Sequence, residues 1–500
     1  MTRTDVAVAA PSEAAADAGE QIALAGGNAV DAAVAATLVT MVNEVGIVSP
    51  SSGGFVTVQP GDGSAPQTVD GWMDMPGRSA AALRGGTWDV DTAYGGGVTV
   101  TVGPGSVATH GSIAALGETH ARWGSLPWAE LVAPAIDVAR SGFRLSAASR
   151  YYLEYVHASI FGWDPASHAV VHDPDGEVTT SPVVVPDLAA TFEIIAAEGP
   201  RAMHEGDLAR AISADVLARG GILGPDDLAA YRPVVRPSLV ARLGDWTFGT
   251  NPPPAVGGVC VAAMLRLLDG HPRAPLGDHR WSEADVTHVV RVQRAVLAAR
   301  LERLEVADDL AAEAAALLAQ VDAGGIAALE SGSTAHVSAT DSAGTACSVT
   351  VSSGYSSGMI AAGTGIYLNN CLGEQELNPR GLHGLEPGTR LLSNMAPTVG
   401  RHADGTALAI GSPGADRITT AITQALAGFV NGGLGLQAAV NHPRVHVHRA
   451  GRPNEEVKVE TEPSMYFGGV AATLRRPDGH LVAAADPRRD GAVRLVHAQR

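Results

Sequence analysis

The chain has 500 residues, a formal net charge of −18, 46% hydrophobic and only 4% aromatic residues, which excludes a disordered or fibrous chain and describes a globular protein with a core of Ala, Val, Leu and Ile. Lys458 is its sole lysine, so no basic tract is present to neutralise a phosphate backbone or an anionic membrane, and nucleic-acid and membrane partners are not expected. Cys260, Cys347 and Cys371 fit no zinc spacing and no disulfide framework and are expected to be buried small hydrophobes of a cytoplasmic protein.

Before Pro11 the chain carries about five apolar residues in a row, too few for the apolar region of a signal peptide. Residues 12–25 read as a helix ended by Gly26-Gly27, and Asn28 caps a second, 29–45, with Asp31 in its first turn. That helix is apolar on nearly every face, as one packed between layers must be, yet short of the roughly 20 residues that span a bilayer. The tract 50–54 turns into a strand over 55–58; 98–102 is another strand, and 112–122 and 128–140 are helices. The segment 187–299 reads as mainly helical, broken by a short strand over 246–249 and the tract NPPPAVGG at 251–258. Residues 323–333 are small, polar and Gly-rich, an exposed connection. After them come a hairpin, 336–340 with 345–352, then a strand at 407–410, a glycine turn at 411–416, and a helix marked by Ile418, Ile422, Leu426 and Phe429.

Thr334 stands where the loose connection meets the hairpin. Cleavage of the Ser333–Thr334 bond would make it N-terminal, with a hydroxyl nucleophile and its own α-amine, of pKa roughly 7.7 to 8.0, as the base. The same hydroxyl can make the cut, by attacking the Ser333 carbonyl to give an ester that water opens. The turn at 411–416 supplies the complementary part: backbone N–H groups at a helix start can hold a developing oxyanion, and Gly414 lets a substrate approach closely.

These residues resemble the γ-glutamyltranspeptidases, a family of N-terminal nucleophile hydrolases. The likeness spans most of the chain, in the family's order: GGNAVDAAVA at 26–35, WGSLPW at 123–128, PAI and ARSGF at 134–143, GGIL and DLAAY at 220–231, the Pro/Gly tract at 252–258, TAHVS at 334–338, GIYLNN at 365–370, LSNMAPT at 392–398 and GSPGADR at 411–417. The resemblance implies an α/β fold, the four-layer αββα sandwich. It implies a proenzyme cut between Ser333 and Thr334 into a large-chain portion, 1–333, and a small-chain portion, 334–500, together forming one compact domain. Thr334 is then the nucleophile, Gly414 and Ala415 give the oxyanion N–H groups, and Ser352 replaces a threonine that hydrogen-bonds the nucleophile. No metal or organic cofactor is implied. The partners are a small-molecule substrate and the self-derived chains, with a homo-oligomer of the processed heterodimer left open.

The substrate pocket departs from the family. Trp72 stands where an arginine holds the substrate's α-carboxylate, and Met73 at the following glutamate; Arg78 is the nearest cation in sequence that could reach the site instead. Gly354 lies near a substrate-contacting asparagine. Glu374 aligns with the acidic residue that holds the α-amino group and Ser393 with a carboxylate-binding serine, beside Asn394 rather than a second serine. The expected activity is therefore hydrolysis of, or acyl transfer from, a small-molecule amide other than an ordinary γ-glutamyl compound, of the kind found in secondary metabolism such as antibiotic biosynthesis. Alternatives are C–C hydrolysis removing an oxalyl-type group, a true γ-glutamyltransferase or glutathione hydrolase, and an uncleaved binding or scaffold homologue. Two other patterns compete: GPGSVA at 103–108, a G-x-G-x-x-A match without the acidic strand end a dinucleotide site requires, and a cluster of His442, His446 and His448 without an HExxH helix.

Overall fold

The computed structural model describes residues 4–79, 85–269, 282–323, 334–414 and 416–498. Two antiparallel sheets face each other. The first runs Ala492–Val496, Val6–Ala10, Ala335–Asp341, Ala346–Ser352, Gly53–Gln59, Gln67–Gly71, Val234–Pro237; the second runs Leu481–Ala485, Ala471–Arg475, Ala407–Gly411, Thr398–His402, Trp246–Thr250, Leu239–Leu243. Helices Glu13–Leu24, Ala29–Asn43 and Ser112–Trp123 cover the outer face of the first sheet, and Val256–Leu268 and Arg417–Val430 that of the second. This is the expected αββα sandwich.

Local chemistry sets the element ends. Ser12 Oγ accepts from Ala15 N and starts the first helix. Asn28 Oδ1 accepts from Val30 N and Asp31 N, while Asp31 returns a bond to Asn28 N, a reciprocal cap that satisfies N–H groups the helix cannot pair itself. Every residue of Ala29–Asn43 is buried. Asp31 also accepts from Ser125 N and Oγ, and Asp341 from Ala29 N, so the GGNAVD and WGSLPW motifs lock this helix to its neighbours.

Between the sheets the interior is polar at one end. His336 Nδ1 pairs with Thr350 Oγ1 at 2.8 Å and Nε2 with Ser338 Oγ at 2.9 Å, and across the gap Ser338 Oγ donates to Ala471 O and Ser348 Oγ to Ile410 O. Gly411 gives the imidazole its space, since a Cβ there would strike the ring. The sequence expectation fails over 234–243, where two short strands lie inside a segment read as mainly helical, while the strand expected over 246–249 is present as Trp246–Thr250. The two unexpected strands are short and sit at sheet edges, paired on one side, and neither shows a clean apolar/polar alternation in its amino acids (VVRP and LVARL). Cys260, Cys347 and Cys371 are free and buried, as expected. Among the described residues no helix is long and apolar enough to cross a membrane.

Candidate active site

Thr334 directly precedes the strand Ala335–Asp341, in the middle of the first sheet. The ladder pairs Ala335 with Val351, and one further step sets Thr334 opposite Ser352, which itself faces Gly53 on its other side. Ser352 Oγ accepts from Gly354 N at 3.0 Å. Thr334 and Ser352 line a narrow cleft of about 10 Å³ together with Trp72, Glu374, Leu377, Ser393, Asn394 and Met395. The cleft thus gathers the sequence candidates Trp72, Thr334, Ser352, Glu374, Ser393 and Asn394 from separate stretches of chain, each exposing 3% or less of its surface.

Trp72 forms one wall. Its Nε1 donates to Leu392 O at 2.7 Å, its ring stacks on Phe55 with centroids 6.2 Å apart, and it lies against Gly53, where a Cβ would meet Cε3 at 2.7 Å. Its carbonyl accepts from Tyr231 Oη and from Arg390 Nη1. Arg390 also pairs with Asp70 and Asp74 and lies over the Tyr231 ring. Sequence reasoning missed this arginine: its partners are more than 150 residues away along the chain and no local pattern announces them. Its charge is taken up by two aspartates, so it does not stand in for a substrate-carboxylate clamp. Nor does Arg78, whose N donates to Asp227 and whose guanidinium lies by Gly388, outside the cleft lining.

Glu374 sits between two 3-10 turns. Burial, and secondarily the Glu376 charge, push its carboxyl well above the usual range, although a hydrogen bond with Cys371 acts the other way. Its Oε1 has no hydrogen-bond partner among the described residues. Gly354 makes room for it: this glycine has φ +67°, and a Cβ would lie 3.1 Å from Oε1 and collide with Asn370 Oδ1. Ser393 O accepts from Val256 N and Gly257 N, docking the 391–397 loop onto the start of the helix Val256–Leu268. A Cβ at Gly257 would collide with Asn394 O and one at Gly258 with Asn251 O, which accounts for the glycines of NPPPAVGG.

The turn after Ala407–Gly411 leaves the second sheet at the end where Thr334 enters the first, because His336, two residues on from Thr334, abuts Gly411. Gly414 has φ +122°, where its Cβ would meet Gly468 Cα at 2.8 Å, so only glycine fits. It does not line the cleft; Ala415 and Ser333 lie outside the described residues. Beyond the turn, Asp416, His446 and His448 place one donor atom each within 4.8 Å of one another, whereas His442 stands apart from this group. Burial opposes the Asp416 charge, but Arg417 and His446 hold its carboxyl well below the usual range, and both its oxygens are engaged by them. Asp416 is thus committed to Arg417 and His446.

Against known proteins, residues 15–496 match the family model described as gamma-glutamyltranspeptidase. The acylase ACY 1 proenzyme of Pseudomonas sp. strain V22 is 31% identical over 95% of this chain and 90% of its own length. The glutathione hydrolase proenzyme of Pseudomonas aeruginosa is 30% identical over 98% of this chain and 94% of its own. Among solved structures, the cephalosporin acylase from Bacillus halodurans superposes with a TM-score of 0.80, covering 99% of this chain and 97% of that one, at 20% identity, a likeness of fold.

Proposed function

The chain belongs to the gamma-glutamyltranspeptidase family of N-terminal nucleophile hydrolases, and from that premise we propose that it cuts itself before Thr334 and hydrolyses small-molecule amides other than ordinary γ-glutamyl compounds. The observation that carries this reading is the cleft itself: Thr334 and Ser352 lie side by side in a cleft with a tryptophan wall, and among the described residues no arginine lines it.

In this reading the Thr334 hydroxyl adds to the Ser333 carbonyl, the peptide nitrogen leaves as the new α-amine, and water opens the ester. The freed amine then takes the Oγ proton as Oγ attacks the donor's carbonyl. By the family resemblance the backbone N–H groups that hold the oxyanion come from the glycine turn, at Gly414 and Ala415, the Ser352 hydroxyl orients Oγ, and the donor's amine departs with the proton. Water, deprotonated by the same α-amine, releases the acid and restores Thr334. The 31% identity to an acylase proenzyme supports amide hydrolysis. A γ-glutamyl donor, by contrast, would lack a charge-assisted contact worth about 1.5 to 3 kcal/mol, or roughly ten- to a hundredfold in turnover.

The test is a denaturing gel with N-terminal sequencing. Wild type should give two chains, the smaller starting at Thr334; Thr334→Ser should retain partial cutting and activity, and Thr334→Ala neither. Amide turnover by uncut chain, or by Thr334→Ala, would overturn the reading.

A further inference from the structure

A second, larger cavity of about 200 Å³ adjoins the Thr334 cleft. The two share Leu377, and the chain passes from Leu392 on the cavity to Ser393 on the cleft, with the Trp72 Nε1–Leu392 O bond along the partition. Its walls are largely aliphatic: Leu310, Leu377, Leu385, Leu392, Pro254 and Pro379. The charged groups on its lining are already paired. Arg390 is held by Asp70 and Asp74, Glu305 by Arg300 at 2.6 Å, and Arg380 by Asp308 at 2.6 Å on the exposed rim. What remains for a ligand is mainly apolar surface, with Asn378 and Thr389 as its uncharged polar groups and no unpaired charge among the described lining residues, next to the nucleophile's cleft.

We propose that this cavity is the acyl-group chamber of the enzyme, and that the donors are amides of uncharged aliphatic or aryl carboxylic acids too large for the cleft alone. The donor's carbonyl sits at Thr334, and its acyl chain runs past Trp72 and between Leu377 and Leu392 into the chamber. The chemistry fixes which half of the donor goes there. The acyl group stays bonded to Thr334 through the intermediate, while the amine has to be exchanged for water, so the apolar cavity suits the acyl half and the solvent side the leaving group. The inference rests on the acylase reading of Thr334 and adds the substrate class to it.

The test separates binding from turnover. Acetate, hexanoate and decanoate are titrated calorimetrically into the purified wild-type protein, and kcat/KM is measured for the matching acyl p-nitroanilides and for decanoyl amides of small and large amines. Affinity should rise about fourfold per methylene, the factor given by roughly 0.8 kcal/mol of apolar burial. The decanoyl-to-acetyl ratio of kcat/KM should fall at least tenfold in Leu310→Trp and in Leu385→Trp, which fill the chamber from two separate stretches of chain, with circular dichroism to verify folding. An absence of chain-length dependence in wild type, an unchanged ratio in both folded variants, or selectivity that follows the amine instead would overturn the proposal. Length-dependent acid binding without any turnover would contradict the nucleophile reading and leave the chamber standing.

Discussion

Trp72 and His336 act as single residues in opposite ways, one shaping the cleft and the other setting what the core tolerates. Trp72 fills the wall where a cation would otherwise meet a carboxylate, so Trp72→Arg should shift the ratio of γ-glutamyl to apolar-acyl turnover at least tenfold toward γ-glutamyl. Equal γ-glutamyl release by wild type and variant, measured with paired anilide substrates, would contradict this role. His336 is buried between the sheets, and burial pushes its pKa down to about 3. The imidazole of the unfolded chain titrates near 6.5, so between these values the unfolded chain binds the extra proton. The stability tied to the neutral ring is therefore complete above pH 6.5 and is lost as the pH falls through that window. His336→Gln keeps hydrogen-bonding groups for Thr350 and Ser338 but does not titrate. In urea unfolding, its stability relative to wild type should improve by up to about 1.4 kcal/mol per pH unit between pH 6 and 4; parallel pH profiles would refute the assignment.

At the scale of elements, the site hangs on close backbone approaches. Gly257→Ala adds helix propensity of up to about 1 kcal/mol, yet its Cβ would collide with Asn394 O, so the 391–397 loop has to shift. The expected result is a several-fold rise in KM together with a lowered melting temperature, and a stabilised variant with wild-type KM would show that the loop does not depend on this contact. Where an element announces itself locally, it was legible in the sequence. The Asn28 cap, the strand Val98–Val102, the hairpin that carries Thr334 and Ser352, and the helix after the glycine turn all lie within a residue or two of where capping and periodicity put them. The edge strands Val234–Pro237 and Leu239–Leu243 were not legible, since they are only four and five residues long and their sequences, VVRP and LVARL, lack a clean apolar/polar alternation. The Asp70–Arg390–Asp74 network behind Trp72 and the chamber beyond Leu392 were equally invisible, because each depends on residues that only the tertiary fold brings together.

The whole molecule is interleaved across the proposed cut. Val6–Ala10 lies between Ala492–Val496 and Ala335–Asp341, and Trp246–Thr250 pairs with Thr398–His402, so both sheets contain strands from either side of residue 334. Separating the two portions would break ladders in both sheets and expose the core between them. The processed chains should therefore co-elute as one species in native size-exclusion chromatography and part only in denaturant; separate elution of folded halves would contradict a single shared core.

The most direct measurement of the central claim is the intact mass of the small chain after brief exposure of wild type to an apolar acyl anilide and rapid acid quenching. The account predicts a species that begins at Thr334 and carries one acyl group on that residue, decaying to the free chain as acid is released. Acyl release at the same rate from an uncut 500-residue chain, or a label on any residue other than Thr334, would contradict it.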